Sequence, residues 1–156
     1  MYSLFLYNWQ VRDEWFEVLK DLPIEELTAE RGGGIGSIIK TLFHIVDVEY
    51  SWIRGIEGYD DPAPLFEDFL NIQSIQRLSD DYRKDLLQIL GTLTDDRELR
   101  VVKVPWDEES YRYGEILRHV IAHEIHHMGQ LSVWAKELDI DRVTANFIGR
   151  GLGRSI

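Results

Sequence analysis

Histidine is the residue type in this sequence whose placement points most directly to chemistry. Four of the five histidines fall in the run His119-Val-Ile-Ala-His123-Glu124-Ile-His126-His127. On a helical wheel at about 100° per residue, His123 and His127 lie one turn apart at the centre of the apolar stripe. Buried imidazoles need partners for both ring nitrogens, and a pair at this spacing can direct two nitrogens to one divalent ion. The spacing therefore favours a metal site over two core histidines satisfied by hydrogen bonds.

A third ligand has to come from elsewhere, because two imidazoles are too few for a protein metal site. His119 lies about 12 Å from the far end of the pair and His126 points to another side, so both suit partial burial or hydrogen bonding around a site. His44 is the remaining histidine. The wheel places it outside the apolar arc of its helix, so spacing alone leaves it as either a ligand or a surface residue. Asp47 and Glu49 on the same helix are alternative ligands, or surface ion-pair partners.

The same run also matches the short metalloprotease pattern H-E-x-x-H, in which Glu124 would be the general base. The longer form of that pattern fails, because Gln130 and Val133 stand where it requires glycine and a third histidine. No strand-rich region precedes the run to hold an extended peptide, and an ion pair or interhelical hydrogen bond suits Glu124 better. A metalloprotease is therefore only a remote alternative.

Composition narrows the classes of function. The chain has 156 residues and no cysteine, which excludes cysteine nucleophiles, thiolate metal sites and disulfides, so any metal must be held by His, Asp or Glu. The formal net charge of −11 argues against nucleic acid as a partner, because phosphate binding relies on Lys and Arg. The N-terminus lacks a signal-peptide pattern, and no apolar run reaches the roughly 18 residues of a membrane span. We therefore expect a cytoplasmic protein.

Helical periodicity extends over most of the chain and predicts a single all-α domain of residues 1–156. Four helices of about 20 residues are expected, over residues 3–22, 37–57, 74–93 and 114–138. Pro23 ends the first helix and precedes a short turn. The Gly32–Gly36 run lacks the P-loop order and follows no strand, so it is interpreted as a flexible entry to the second helix. Together these elements predict a four-helix bundle.

Two stretches depart from the helical pattern. Residues 94–113 include the β-prone, proline-interrupted run Val101–Trp106, which predicts an extended segment or short hairpin between the third and fourth helices. The tail after Asp141 is expected to hold one short helical turn, with a frayed end at Gly153 and Arg154. The long connections permit crossovers, so periodicity leaves the bundle topology open.

Two motifs together resemble the DinB family of bacterial proteins: the segment from Leu42 to Trp52 and the segment from His119 to Leu131. The resemblance extends over essentially the whole chain. It implies a four-helix bundle in up-down-down-up order, usually a homodimer, with a divalent metal ion held by three histidines. Carried over residue by residue, those ligands are His44, His123 and His127. One departure is Met128, which stands where many relatives have arginine.

The resemblance also implies a kind of reaction. Relatives include S-transferases that use bacillithiol or mycothiol, and thiol-dependent maleylpyruvate isomerases. Three neutral ligands, which suit Zn, Ni or Fe, leave the ion its charge and the ability to lower the pKa of a bound thiol or water. We therefore expect a metal-dependent enzyme of thiol S-transferase or hydrolase type, acting on a small molecule. A non-catalytic metal-stabilised dimer or small-molecule-binding module is the alternative. Aromatic candidates for a pocket beside the ion are Tyr50, Trp52, Trp106 and Tyr113.

Overall fold

Residues 1–153 are described by a computed structural model, and most of them are helical. The helices are α1 (Tyr2–Leu19), α2 (Ile24–Thr28), α3 (Ile38–Ile56), α4 (Ile72–Leu90), α5 (Asp95–Glu98) and α6 (Tyr113–Glu137). A 3₁₀ turn spans Phe66–Asp68, and two short strands, β1 (Val101–Val102) and β2 (Tyr111–Arg112), form an antiparallel hairpin. The predicted all-α fold class is therefore confirmed. Within residues 1–153, no helix is long and apolar enough to cross a membrane.

The four long helices pack as a bundle. Helices α1 and α3 each contact both α4 and α6, so every long helix has two long neighbours, while α2 packs on α3. Side chains fix where α3 and α4 begin, because Ser37 Oγ accepts a hydrogen bond from the backbone N–H of Lys40, and Asn71 Oδ1 accepts one from that of Ser74. The four long helices lie where helical periodicity predicts them.

Helix ends differ from the prediction where local chemistry ends a helix early. Helix α1 ends at Leu19, three residues before the predicted end, and Lys20 is its C-cap. Helix α4 begins two residues earlier than predicted because Asn71 caps it, and it ends at Leu90, just before Gly91. Side-chain capping, which hydrophobic periodicity does not register, therefore sets the start of α4.

The connections also differ from the prediction. Helix α5 and the 3₁₀ turn are each too short to show periodicity, so the sequence pattern did not reveal them. The described tail, residues 139–153, contains no helix but does contain a hydrogen-bonded turn, in which the Arg150 N–H donates to the Phe147 carbonyl oxygen at 3.4 Å. The tail is held instead by specific contacts, such as Tyr7 Oη donating to the carbonyl oxygen of Ala145 at 2.7 Å. Arg154 lies outside the described residues.

A polar layer halfway along the bundle divides the apolar core into two clusters. One cluster includes Trp15, Ile39, Ile75 and Leu131, and the other includes Phe5, Ile53, Leu86 and Leu117. Each of the four long helices contributes buried polar side chains between the clusters, namely Asn8, Arg12, Glu49, Ser79, Glu124 and His127. Buried polar groups are costly without partners, so this layer must be internally hydrogen-bonded.

Arg12 lies at the centre of this layer and is 1% exposed. Its Nε and Nη2 donate to the two oxygens of Glu124 at 2.8 and 2.6 Å, and Nη2 also donates to Glu49 Oε2 at 2.8 Å. Nη1 donates to Ser79 Oγ at 3.0 Å, and Trp9 Nε1 donates to Glu49 Oε1 at 2.8 Å. These bonds link α1 to α3, α4 and α6.

The charges of this network depend on one another. Burial opposes the charge of Arg12, but its two carboxylate partners outweigh that effect and raise its pKa further. Burial raises the pKa of Glu124, and the guanidinium of Arg12 opposes that rise. Removing the guanidinium would therefore leave two buried carboxylates without their cation.

We expect Arg12→Met to lower the free energy of unfolding by about 3–5 kcal/mol, the usual cost of leaving buried charges unpaired. Urea denaturation measures the loss. The matched control is Arg118→Met, because the Arg118 side chain is 61% exposed and pairs with Glu98 at the surface. That change should cost no more than about 1 kcal/mol. Similar losses in the two variants would contradict the central role of Arg12.

Candidate metal centre

Three histidines from two helices converge beside the polar layer. His123 and His127 lie one turn apart on α6, and His44 faces them from α3. His123 Nε2 is 3.1 Å from His44 Nε2 and 3.1 Å from His127 Nε2, and one nitrogen of each ring lies within 4.8 Å of the others. The three side chains are therefore close enough to hold one metal ion.

The position of His44 differs from what the helical wheel indicates. Helix α3 contacts α2, α4 and α6, so its packed surface is wider than one apolar stripe. His44 lies at the edge of that surface which faces α6, and it is half-buried rather than a surface residue. Interhelical packing, which periodicity within one helix does not reveal, brings it to the other two histidines.

Hydrogen bonding alone does not satisfy the three converging nitrogens. A ring nitrogen of a neutral imidazole carries either one hydrogen or one lone pair. His123 Nε2 faces two other ring nitrogens at 3.1 Å, so it cannot form a full hydrogen bond with each. A cation among the rings would accept lone pairs from all of them. Two nitrogens at about 2.1 Å from one ion and 3.1 Å apart subtend an angle of about 95°, which is common in metal coordination.

Gln130 orients one of the three rings and was not singled out by sequence reasoning. Its Oε1 lies 2.7 Å from His127 Nδ1, so that nitrogen carries the hydrogen and Nε2 presents its lone pair to the other two histidines. The Gln130 amide nitrogen in turn donates to His126 Nε2 at 3.0 Å. In the sequence, its position three residues after His127 on the same helix is the feature that indicates contact between the two side chains.

The glycine run before α3 has a specific structure rather than serving as a flexible entry. The loop packs on α6, where Trp134 Nε1 donates to the carbonyl oxygen of Gly32 at 3.2 Å. At Gly34, which has a φ of +59°, a Cβ atom would lie 2.7 Å from Gln130 Oε1. Only glycine permits this approach without displacing Gln130, so the loop helps to fix the amide that orients His127.

The carboxylates near the histidines are engaged elsewhere. Glu49 and Glu124 are buried with Arg12, which leaves Glu124 unsuited to act as the base of a metalloprotease. Burial raises the pKa of Asp47, and the nearby charge of Asp61 adds to the rise. None of these three carboxylates belongs to the group of converging ligand atoms. The described residues therefore offer nitrogen ligands at this position.

The remaining histidines and aromatic residues are divided between the site and the core. His126 and His119 are exposed, and the His119 ring lies between the rings of Trp52, at 5.6 Å, and His123, at 5.9 Å. Trp106 packs edge-on against Trp52. The other two aromatic candidates point away from the histidines, because Tyr50 stacks on Tyr82 and Tyr113 donates to Glu57.

Burial favours the neutral imidazoles of His123 and His44. It lowers the pKa of His123 to about 4, with the neighbouring His127 and His44 adding to the effect. Burial, followed by the charge of His127, also lowers the pKa of His44. Neutral imidazole is the form that ligates a metal, so the site is ready to bind an ion at neutral pH.

The helices and the histidine cluster together define a class: all-α proteins in which three histidines from two packed helices could hold one ion. The sequence matches the DinB family over residues 1–148, and the chain belongs to that family. It is 50% identical over 153 residues to the uncharacterized protein YizA of Bacillus subtilis (strain 168), a match that covers 97% of this chain and 96% of YizA.

A solved structure with the same fold is the crystal structure of a DinB-like protein from Bacillus cereus ATCC 10987. The TM-score is 0.61 at 20% sequence identity, and the match covers 91% of this chain and 95% of the other. At this identity the likeness shows a shared fold. Family membership, expected from the two sequence motifs, is confirmed by the family match.

We expect acidification of the chelator-treated protein to reveal the lowered pKa of His123. Between about pH 6.5 and pH 4 the unfolded chain binds more protons at this residue than the folded chain, so stability falls as the pH falls through that window. Urea denaturation at several pH values measures the slope, which should be shallower in His123→Asn than in the wild type. An unchanged slope in His123→Asn would contradict the assignment.

Proposed function

We propose that this protein binds one divalent metal ion through His44, His123 and His127, and that it is a metal-dependent enzyme acting on a small molecule. The observation that carries the proposal is the convergence of three ring nitrogens, two pairs of which are 3.1 Å apart. The reaction type we favour is thiol S-transfer or hydrolysis, as the resemblance to the DinB family implies. A metalloprotease is not favoured, because Arg12 engages Glu124.

The chain's own residues prepare this site in three ways. Burial favours the neutral imidazoles that ligate a metal. Gln130 holds His127 in the tautomer whose Nε2 is free to bind. The nearest buried carboxylates are paired with Arg12 and do not reach the site. An ion bound here would keep its full positive charge and would lower the pKa of a thiol or water molecule that reaches it.

Metal analysis of the untagged protein tests the site. We expect about one ion per chain in the wild type, and at least a tenfold loss of affinity in His44→Ala, His123→Ala and His127→Ala, because each variant removes one of three ligands. Inductively coupled plasma mass spectrometry measures the bound metal. His119→Ala is the matched control on the same helix and should retain the ion.

Gln130→Met should weaken metal binding by about 10- to 100-fold, the usual effect of removing a hydrogen bond to a ligating histidine. A stoichiometric ion in His127→Ala would overturn the site.

The cobalt-substituted protein tests the reaction class, because a low-molecular-weight thiol that binds the ion changes the visible spectrum. A bound ion whose spectrum no thiol alters would leave hydrolysis or the non-catalytic module as the function.

We also propose that the protein forms a homodimer through α1 and α6. Large apolar side chains are exposed along this face, with Leu4 38%, Ile125 44% and Val133 57% exposed. Ile125 and Val133 are eight residues apart and lie on one side of α6. Contact with a second copy of the face would remove this apolar surface from water.

Light scattering tests the dimer, with an expected mass of two chains. Val133→Asp should favour the monomer, because it places a charge in the apolar contact. The matched control is Val101→Asp, since Val101 is 71% exposed and lies away from this face, in β1. A wild-type monomer would contradict the proposal.

A further inference from the structure

A second feature beside the histidine cluster is an open cavity of about 410 Å³. It lies between α3, the start of α6 and the segment that contains β2. The lining residues are Trp52, Asp107, Tyr111, Glu115, Ile116 and His119. His119 also contacts the ring of His123, with 5.9 Å between the ring centroids. The cavity is therefore adjacent to the candidate metal centre.

The aromatic wall of this cavity is held by packing. Trp52 makes edge-type contacts with the rings of both Trp106 and His119, with 5.6 Å between the ring centroids in each pair. Trp106 is seated over Gly55, where a Cβ atom would be 2.5 Å from Trp106 Cη2. Because Gly55 leaves room for the indole of Trp106, that ring can pack against the neighbouring Trp52.

The charged groups that line the cavity are all acidic. Asp107 accepts hydrogen bonds from Tyr111 Oη at 2.8 Å and from the backbone N–H of Glu109 at 2.9 Å. These bonds, the backbone one first, lower the pKa of Asp107 and favour its ionised form. Glu115 is the second carboxylate, and one of its oxygens accepts from the backbone N–H of Arg112 at 2.8 Å. No lysine or arginine lines the cavity in the described part of the chain, although the charge of Lys103, outside the lining, also lowers the pKa of Asp107.

Two carboxylates beside aromatic rings form the usual environment for an organic cation. An ammonium group gains from the faces of tryptophan and tyrosine rings, and a nearby carboxylate supplies the counter-charge. An anion would meet Asp107 and Glu115 with no cationic side chain in the lining to offset them. The two carboxylates therefore make the lining more favourable to a positively charged group than to a phosphate or carboxylate group.

We propose that this cavity binds the organic ammonium group of a small-molecule substrate, between the aromatic ring of Trp52 and the carboxylate of Asp107. That this molecule is a substrate of the metal centre rests on the proposed function. The cavity's selectivity for a cation follows from its own lining residues.

The test compares choline with 3,3-dimethyl-1-butanol, which has the same shape without the charge. Binding is followed by nuclear magnetic resonance at about pH 8, where an ordinary imidazole is neutral, through the indole N–H signal of Trp52. Trp52→Phe identifies that signal by its loss. We expect choline to shift the Trp52 signal saturably, and the neutral compound to bind at least about fivefold more weakly.

Asp107→Asn should weaken choline binding by about fivefold or more and leave binding of the neutral compound unchanged. Glu108→Gln is the matched control, because it removes the same charge at the adjacent exposed residue, which does not line the cavity. Equal affinity for the two compounds, or equal effects of the two variants, would overturn the inference.

Repeating the titration with His127→Ala separates this inference from the proposed metal site. Choline binding should persist in that variant, because no lining residue has changed. Selective choline binding in a protein that binds no metal would refute the metal centre and leave the cation site standing. A bound metal ion without charge-selective binding at Trp52 would refute the cation site alone.

Discussion

The buried guanidinium of Arg12 is the interaction on which the rest of this structure depends. It donates from α1 to carboxylates on α3 and α6 and to a hydroxyl on α4, and so it links all four long helices at one level. Apolar packing alone tolerates small rotations of a helix, but a buried charge pair does not. The orientation of each helix about its own axis is therefore fixed most strictly at this polar layer.

The histidine cluster follows from that constraint. Glu124 is adjacent to His123 on α6, and Glu49 follows His44 by five residues, a rise of about 7.5 Å, on α3. Each of these two helices therefore carries a network residue within about one and a half turns of a cluster residue. A rotation that moved Glu124 away from Arg12 would also move His123 away from His44. The helix pair that satisfies the buried cation is thus the pair that brings the ring nitrogens to 3.1 Å. The polar layer and the site form together.

Sequence reasoning was most informative where chemistry and periodicity agreed. Two histidines at the centre of an apolar stripe are costly to bury, so His123 and His127 could be identified from spacing alone. His44 could not, because its position depends on how α3 packs against α6, and only the family resemblance indicated it. Arg12 was not singled out, since its partners are 37 and 112 residues away along the chain. The up-down-down-up order of the helices stays a prediction from the family.

The network around Arg12 also decides what kind of metal centre the bundle can build. With a formal charge of −11, this chain has many carboxylates that could neutralise a divalent ion. Glu49 and Glu124 are the buried carboxylates nearest in sequence to the histidines, and both are committed to the guanidinium. Ligands drawn from the histidine cluster are then neutral, and an ion held by neutral ligands keeps the charge that acidifies a bound thiol or water. By pairing with these carboxylates, Arg12 thus has an electrostatic role beside the histidine cluster as well as a structural one.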